Sequence, residues 1–270
     1  MKIEYKKELI LKIEEYELFI FEHKGISLPV YKRGKGAGIV LMHELPGITP
    51  KVLEFSNTLV ARGFTVWMPS LTGIPGQETS KYAIAKQLVK VCIRKEFHML
   101  AKNHSSPITG WLRALCCKLD HVTSRQGIGV LGMCFTGNFA LTMMVETCVK
   151  APVVCQPYLP IPLTPAFKRS LHLSQEELNI IKTKTLDSEL KVLGLRFSDD
   201  SISPSDRFKC LKNELGNGFE EIEIDSSPGN PHHISQQAHS VLTEDFNSNT
   251  DHPTYQARER IFQFFDETLR

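Results

Sequence analysis

Short, continuously apolar runs alternate along this chain with longer stretches in which apolar residues recur every three or four positions, the pattern of buried strands and amphipathic helices taken in turn. The first two runs, residues 16–21 and 27–31, flank a polar turn at residues 22–25 and predict a pair of antiparallel strands. Pro29 has no amide hydrogen to offer a second neighbour, so the second strand is expected at a sheet edge. Gly38–Met42 and residues 64–68 read as strands covered on both faces, the second ended by Pro69. Between them, Thr49 and Pro50 supply the N-cap and first residue of a helix whose buried face holds Val52, Phe55, Leu59 and Val60. Residues 81–120 are polar, helical in pattern and longer than one crossover needs, so part of this stretch is expected to cover a pocket.

The second half repeats the scheme. A strand at residues 128–131 leads through glycines into an apolar helix at residues 139–145, and a strand at residues 152–155 precedes a segment rich in proline, with Pro157, Pro160, Pro162 and Pro165. Residues 191–197 form another central strand. Ser203 is placed to cap a helix with Pro204 at its first position and Gly216 just past its end. Phe219–Ile224 is the last strand, and Ala257, Ile261, Phe264, Phe265 and Leu269 mark the buried face of a closing helix. Such repeated units predict an α/β fold, a mostly parallel central sheet with helices on both faces, whose site lies at the carboxyl ends of the strands.

Composition narrows the picture without changing it. With 270 residues, 41% hydrophobic and 23% charged, residues 1–270 are expected to close a single domain. A formal net charge of +2 argues against a nucleic-acid surface. No stretch of 18 apolar residues exists and the first eight residues alternate charge, so a soluble, cytoplasmic protein is expected, with neither membrane nor nucleic acid as partner. The seven cysteines, at positions 92, 116, 117, 134, 148, 155 and 210, have no paired C-x-x-C spacing and imply neither a disulfide framework nor a zinc site. No cofactor motif appears, and no metal is expected.

The chemistry concentrates at Gly132-Met133-Cys134-Phe135-Thr136-Gly137, a cysteine between glycines that follows a strand and opens a helix. The glycines allow the sharp turn of a nucleophile elbow. The unpaired amides of a helix N-terminus favour the thiolate of Cys134. An isolated match describes a buried cysteine in a glycine-rich turn equally well, so other residues must decide. Three further groups follow strands: His43-Glu44, Asp199-Asp200 and, after the last strand, His239. His232 and His233 lie in the same stretch as His239 and are candidate decoys, while Cys116, Cys117, Met133, Met143 and Met144 read as packing residues.

Nucleophile, acid and histidine stand in the chain order of an α/β-hydrolase triad. The segments Val40 to Gly47, Gly132 to Gly137, Asp200-Ser201-Ile202-Ser203-Pro204 and His239-Ser240 resemble the dienelactone hydrolase family over roughly residues 38–242. That resemblance implies an α/β-hydrolase fold and a Cys134, His239 and Asp200 triad that hydrolyses small esters or lactones through a thioester. Asp200 is preferred to Asp199 because the family's aspartate stands four residues before a proline, here Pro204. Glu44 is then the glutamate that contacts the resting thiol, and the backbone amides of Leu45 and Phe135 form the oxyanion hole. Two departures stand out. Thr136 replaces a family glycine, and Ser240 to Thr243 carry no arginine where dienelactone hydrolases proper clamp a substrate carboxylate just after the histidine. Arg94 and Arg113 are the candidates to replace it, each read more simply as a solvated helix residue. The competing functions are a non-catalytic binding protein on the same fold and a thiol-dependent acyltransferase.

Overall fold

The computed structural model describes residues 13–93, 106–123, 126–187 and 190–270. The chain opens with β1 (Glu17–His23) and β2 (Ile26–Arg33), an antiparallel hairpin turned at Lys24 and Gly25, both at positive φ. β3 (Gly38–Met42), α1 (Pro50–Ala61) and β4 (Thr65–Pro69) form the first crossover. Thr49 caps α1 by accepting the amide of Val52 at 3.3 Å. α2 (Lys81–Ile93) and α3 (Pro107–Val122) follow; Arg94 lies outside the described residues.

β5 (Ile128–Met133), α4 (Gly137–Met143), β6 (Val149–Cys155), α5 (Pro165–Arg169), α6 (Gln175–Asp187) and β7 (Val192–Phe197) continue the alternation, closed by α7 (Ser205–Leu215), β8 (Phe219–Ile224) and α8 (Pro253–Leu269). The eight strands make one sheet in the order β1-β2-β4-β3-β5-β6-β7-β8, antiparallel up to β4 and parallel beyond it.

Side chains that alternate along each strand separate two cores. Val40, Met42 and Val130 join Trp111, Leu115, Phe139 and Phe208 on one face. Ile39, Leu41 and Leu131 join Phe55, Leu59, Ile261 and Phe265 on the other. The layers are those of the α/β architecture expected from the alternating pattern.

Three details differ from the sequence reading. β2 is not an edge, because β1 pairs with it on one side and β4 on the other. Pro29 is tolerated since the β2–β4 pairing begins one residue later, at Val30↔Pro69, and Pro29 contributes only its carbonyl, to the amide of Ser70. α7 starts at Ser205 with Pro204 as its extended N-cap residue, and Ser203 does not cap it. The amide of Ser203 is turned instead toward Asp200, at 3.1 Å. The helix after the elbow begins at Gly137, two residues earlier than its apolar pattern suggests.

Candidate active site

The parallel register decides which residues meet. Met42 is level with Gly132, Met133 with Cys155, and Cys155 with Leu195, so the chain leaves β3, β5, β6 and β7 side by side at one edge of the sheet. Those exits carry His43-Glu44-Leu45, Cys134-Phe135, Gln156 and Asp199-Asp200.

Cys134 sits at φ 54° in a single turn, Cys134–Thr136, between β5 and α4. A non-glycine residue in this region carries roughly 1–3 kcal/mol of strain that the surroundings must hold. They do so closely. A Cβ at Gly132 would meet the Thr136 carbonyl oxygen at 2.2 Å, and one at Gly137 would meet Pro157 Cα at 2.7 Å. Thr136 itself has φ −93°, a right-handed conformation open to any residue, which accounts for threonine in place of glycine. Its hydroxyl accepts the Met133 amide at 2.9 Å and reaches the Met42 carbonyl at 3.0 Å, tying the elbow to β3. The Cys134 carbonyl accepts the amide of Tyr158 at 2.9 Å. Arg207, buried on α7, in turn holds the segment that carries Tyr158 by donating to the carbonyls of Pro157, Pro160, Phe167 and Ser170.

His239 lies in the segment between β8 and α8, with Nδ1 2.7 Å from Asp200 Oδ2. Asp200 is 4% exposed, and its other oxygen accepts the amides of Ile202 at 2.9 Å and Ser203 at 3.1 Å. With Nδ1–H donated to the carboxylate, the neutral ring keeps its lone pair on Nε2. That nitrogen is buried, and beside Asp200 the side chain that interacts with the ring is the Cys134 thiol. Burial lowers the pKa of His239, but the charge of the neighbouring Cys134 and the hydrogen bond of Asp200 outweigh it and lift the imidazole well above its ordinary value. Asp199 is exposed and turned away, accepting from Gln236 at 3.1 Å. His232 and His233 are exposed, and His232 packs edge-on against His252.

A model of the dienelactone hydrolase family matches residues 27–269. The chain belongs to the dienelactone hydrolase family. Among solved structures it is similar to a putative dienelactone hydrolase of Klebsiella pneumoniae, at 15% identity and a TM-score of 0.61 over 93% of this chain and 98% of that one. It also resembles a dienelactone hydrolase-like promiscuous phosphotriesterase from metagenomic libraries, at 13% identity and 0.59 over 94% and 98%. The esterase domain of a Rhodothermus marinus protein is a third, at 15% and 0.57 over 94% and 99%. No curated protein matches the chain. Membership of the family makes it a carboxylic ester hydrolase that acts on a small molecule.

Within this member of the family the glutamate departs from the contact implied by resemblance. Glu44 is 4% exposed, yet neither of its oxygens bonds the Cys134 thiol among the described residues. They accept instead from Thr243 Oγ1, from Ser240 Oγ at 2.8 Å and from Gln156 Nε2 at 3.3 Å. Burial raises the Glu44 pKa, against the Thr243 hydroxyl, the charge of His239 and the Ser240 hydroxyl. None of Gln156, Ser240 and Thr243 was legible as a site residue; they stand 112, 196 and 199 positions from Glu44.

Arg113 is neither a solvated residue nor close to the elbow. Its guanidinium pairs with Glu177 at 2.5 Å and donates to the Thr142 carbonyl at 2.9 Å, at the end of α4 opposite Cys134. Among the described residues no cluster of three histidines, cysteines or carboxylates could hold a metal, and no helix is long and apolar enough to cross a membrane.

Proposed function

We propose that this family member hydrolyses small carboxylic esters or lactones through a Cys134 thioester, with His239 as proton carrier and Asp200 as its orienting acid. The observation that carries the reading is the Nδ1-to-Asp200 bond of 2.7 Å, which leaves the buried Nε2 of a half-buried His239 as the base beside a nucleophile strained onto an elbow. The Cys134 proton passes to His239 Nε2, and Cys134 Sγ forms a bond to the ester carbonyl carbon. The tetrahedral oxyanion is met by the amides of Leu45 and Phe135, each three residues beyond a pair in register, Met42↔Gly132. Collapse breaks the ester C–O bond, and the imidazolium returns its proton to the leaving alcohol. Water then adds to the thioester with His239 taking its proton, the C–S bond breaks, and the acid departs as the thiol is restored.

The test is single substitution of the cysteines. Cys134→Ala is expected to fold and to lose ester turnover, while Cys116→Ala and Cys117→Ala, on a helix remote from the elbow, keep it. Wild-type turnover in folded Cys134→Ala would overturn the reading.

A further inference from the structure

His239 is carried midway along residues 225–252, a segment between β8 and α8 with no helix or strand to hold it. A base displaced by about 1 Å costs on the order of a hundredfold in rate, so such a segment needs side-chain tethers. One is the Asp200 bond. Another is Asp245, whose carboxylate accepts the amides of His239 and Ser240, both at 2.9 Å. The third involves a buried carboxylate that the proposed reaction does not use. Glu44 comes from the end of β3, and two of its three donors, Ser240 and Thr243, lie one and four residues after His239. The third donor, Gln156, is itself fixed: it is buried at φ 32°, its backbone amide donates to the Leu195 carbonyl at 2.7 Å, and its side-chain oxygen accepts the Cys155 thiol at 2.6 Å. That contact sets the amide orientation and leaves the NH2 group for Glu44. A carboxylate withdrawn from water is tolerated when its lone pairs are taken by donors, and these three take them.

We propose that Glu44, gripped by Thr243, Ser240 and Gln156, anchors the histidine segment to the central sheet, and that Thr243 is a positioning residue for the reaction. The inference rests on the triad reading, since an anchor for His239 matters to turnover only if His239 moves the proton. Ser240 and Thr243 stand where a carboxylate-clamping arginine is missing, so the segment that would bind a charged substrate is committed here to holding the base in place.

Steady-state kinetics on an aryl ester test it, with folding followed by thermal melting. Thr243→Val is expected to lower kcat about tenfold or more with KM within about twofold, because the base is misplaced while the pocket is not. Thr243→Ser keeps the hydroxyl and is expected to recover most of that loss. Combined with Glu44→Gln, Thr243→Val is expected to cost no more than Glu44→Gln alone, as it must if Thr243 acts through Glu44. Ser240→Ala, which removes a second donor, is expected to lower kcat in the same sense and serves if Thr243→Val fails to fold. An unchanged kcat in folded Thr243→Val or Ser240→Ala, or additive losses in the double variant, would overturn the anchor while Cys134→Ala stays inactive. An active Cys134→Ala would bring down the triad reading itself, a distinct result.

Discussion

Asp199 and Asp200 are chemically identical neighbours with opposite surroundings, and the difference is set by where each side chain leaves the turn after β7. Asp200 is buried with both oxygens engaged, one by two amides and one by His239, whereas Asp199 faces solvent and Gln236. An asparagine at 200 would present an NH2 group or a neutral oxygen to Nδ1 and lose control of the tautomer. We therefore expect Asp200→Asn and His239→Ala each to lower kcat by roughly a thousandfold or more, and Asp199→Asn to stay within about twofold. Measured kcat for the three variants decides it; a sensitive Asp199 with a tolerant Asp200 would contradict the assignment. Asp200 was singled out by its register against Pro204, which rests on the family resemblance, and the sharp turn at Cys134 was legible because Gly132 and Gly137 bracket it. The grip on Glu44 was not, because no local pattern links residue 44 to residues 156, 240 and 243.

Between elements, His43 does for the first two crossovers what Thr136 does for the elbow. Its Nδ1 lies 2.8 Å from the Glu44 carbonyl, and its Nε2 accepts the Leu71 amide at 3.0 Å, so the exit from β3 is stapled to the exit from β4 by a neutral ring that donates through Nδ1. Full burial lowers its pKa from 6.5 to about 4, the Glu44 carbonyl pulling the other way. Between those values the unfolded chain binds a proton that the folded chain refuses, so this contribution is complete above pH 6.5 and is lost as pH falls toward 4. At about 1.36 kcal/mol per pH unit the loss approaches roughly 3 kcal/mol. His239, raised in the fold, has the opposite sign: its stabilisation is present at low pH and lost as pH rises through its folded pKa. Denaturant unfolding of wild type and His43→Gln at pH 7 and pH 5 separates the two, with the gap between the proteins expected to shrink at pH 5. An equal gap at both values would show that His43 is not held neutral.

Element boundaries were most legible where chemistry punctuates the chain. Gly38 opens β3, Thr49-Pro50 starts α1, and Gly216 follows the end of α7 at φ 54°. They were misread where long-range pairing decides. Pro29 suggested an edge until β4 paired alongside, and Ser203 suggested a cap until Asp200 took its amide.

At the scale of the whole molecule, the fold brings four strand exits and the segment before α8 to one edge of the sheet, and no arginine of the described residues argued for substrate binding reaches it. Arg113 is bound to Glu177 at the far end of α4. Neutral small esters or lactones are therefore expected to react at least as well as carboxylate-bearing dienelactones, as kcat/KM for a dienelactone and its neutral analogue would reveal. A strong preference for the charged substrate would contradict this.

The central claim is a covalent acyl group on Cys134. Rapid mixing with a slowly deacylating aryl ester, acid quench and mass spectrometry of the digested protein reads it directly. The account predicts one added acyl mass, confined to the peptide containing Cys134, absent from Cys134→Ala and accumulating in His239→Ala far more slowly than in wild type. Turnover with no acylated peptide, or with the acyl group on another residue, would contradict it.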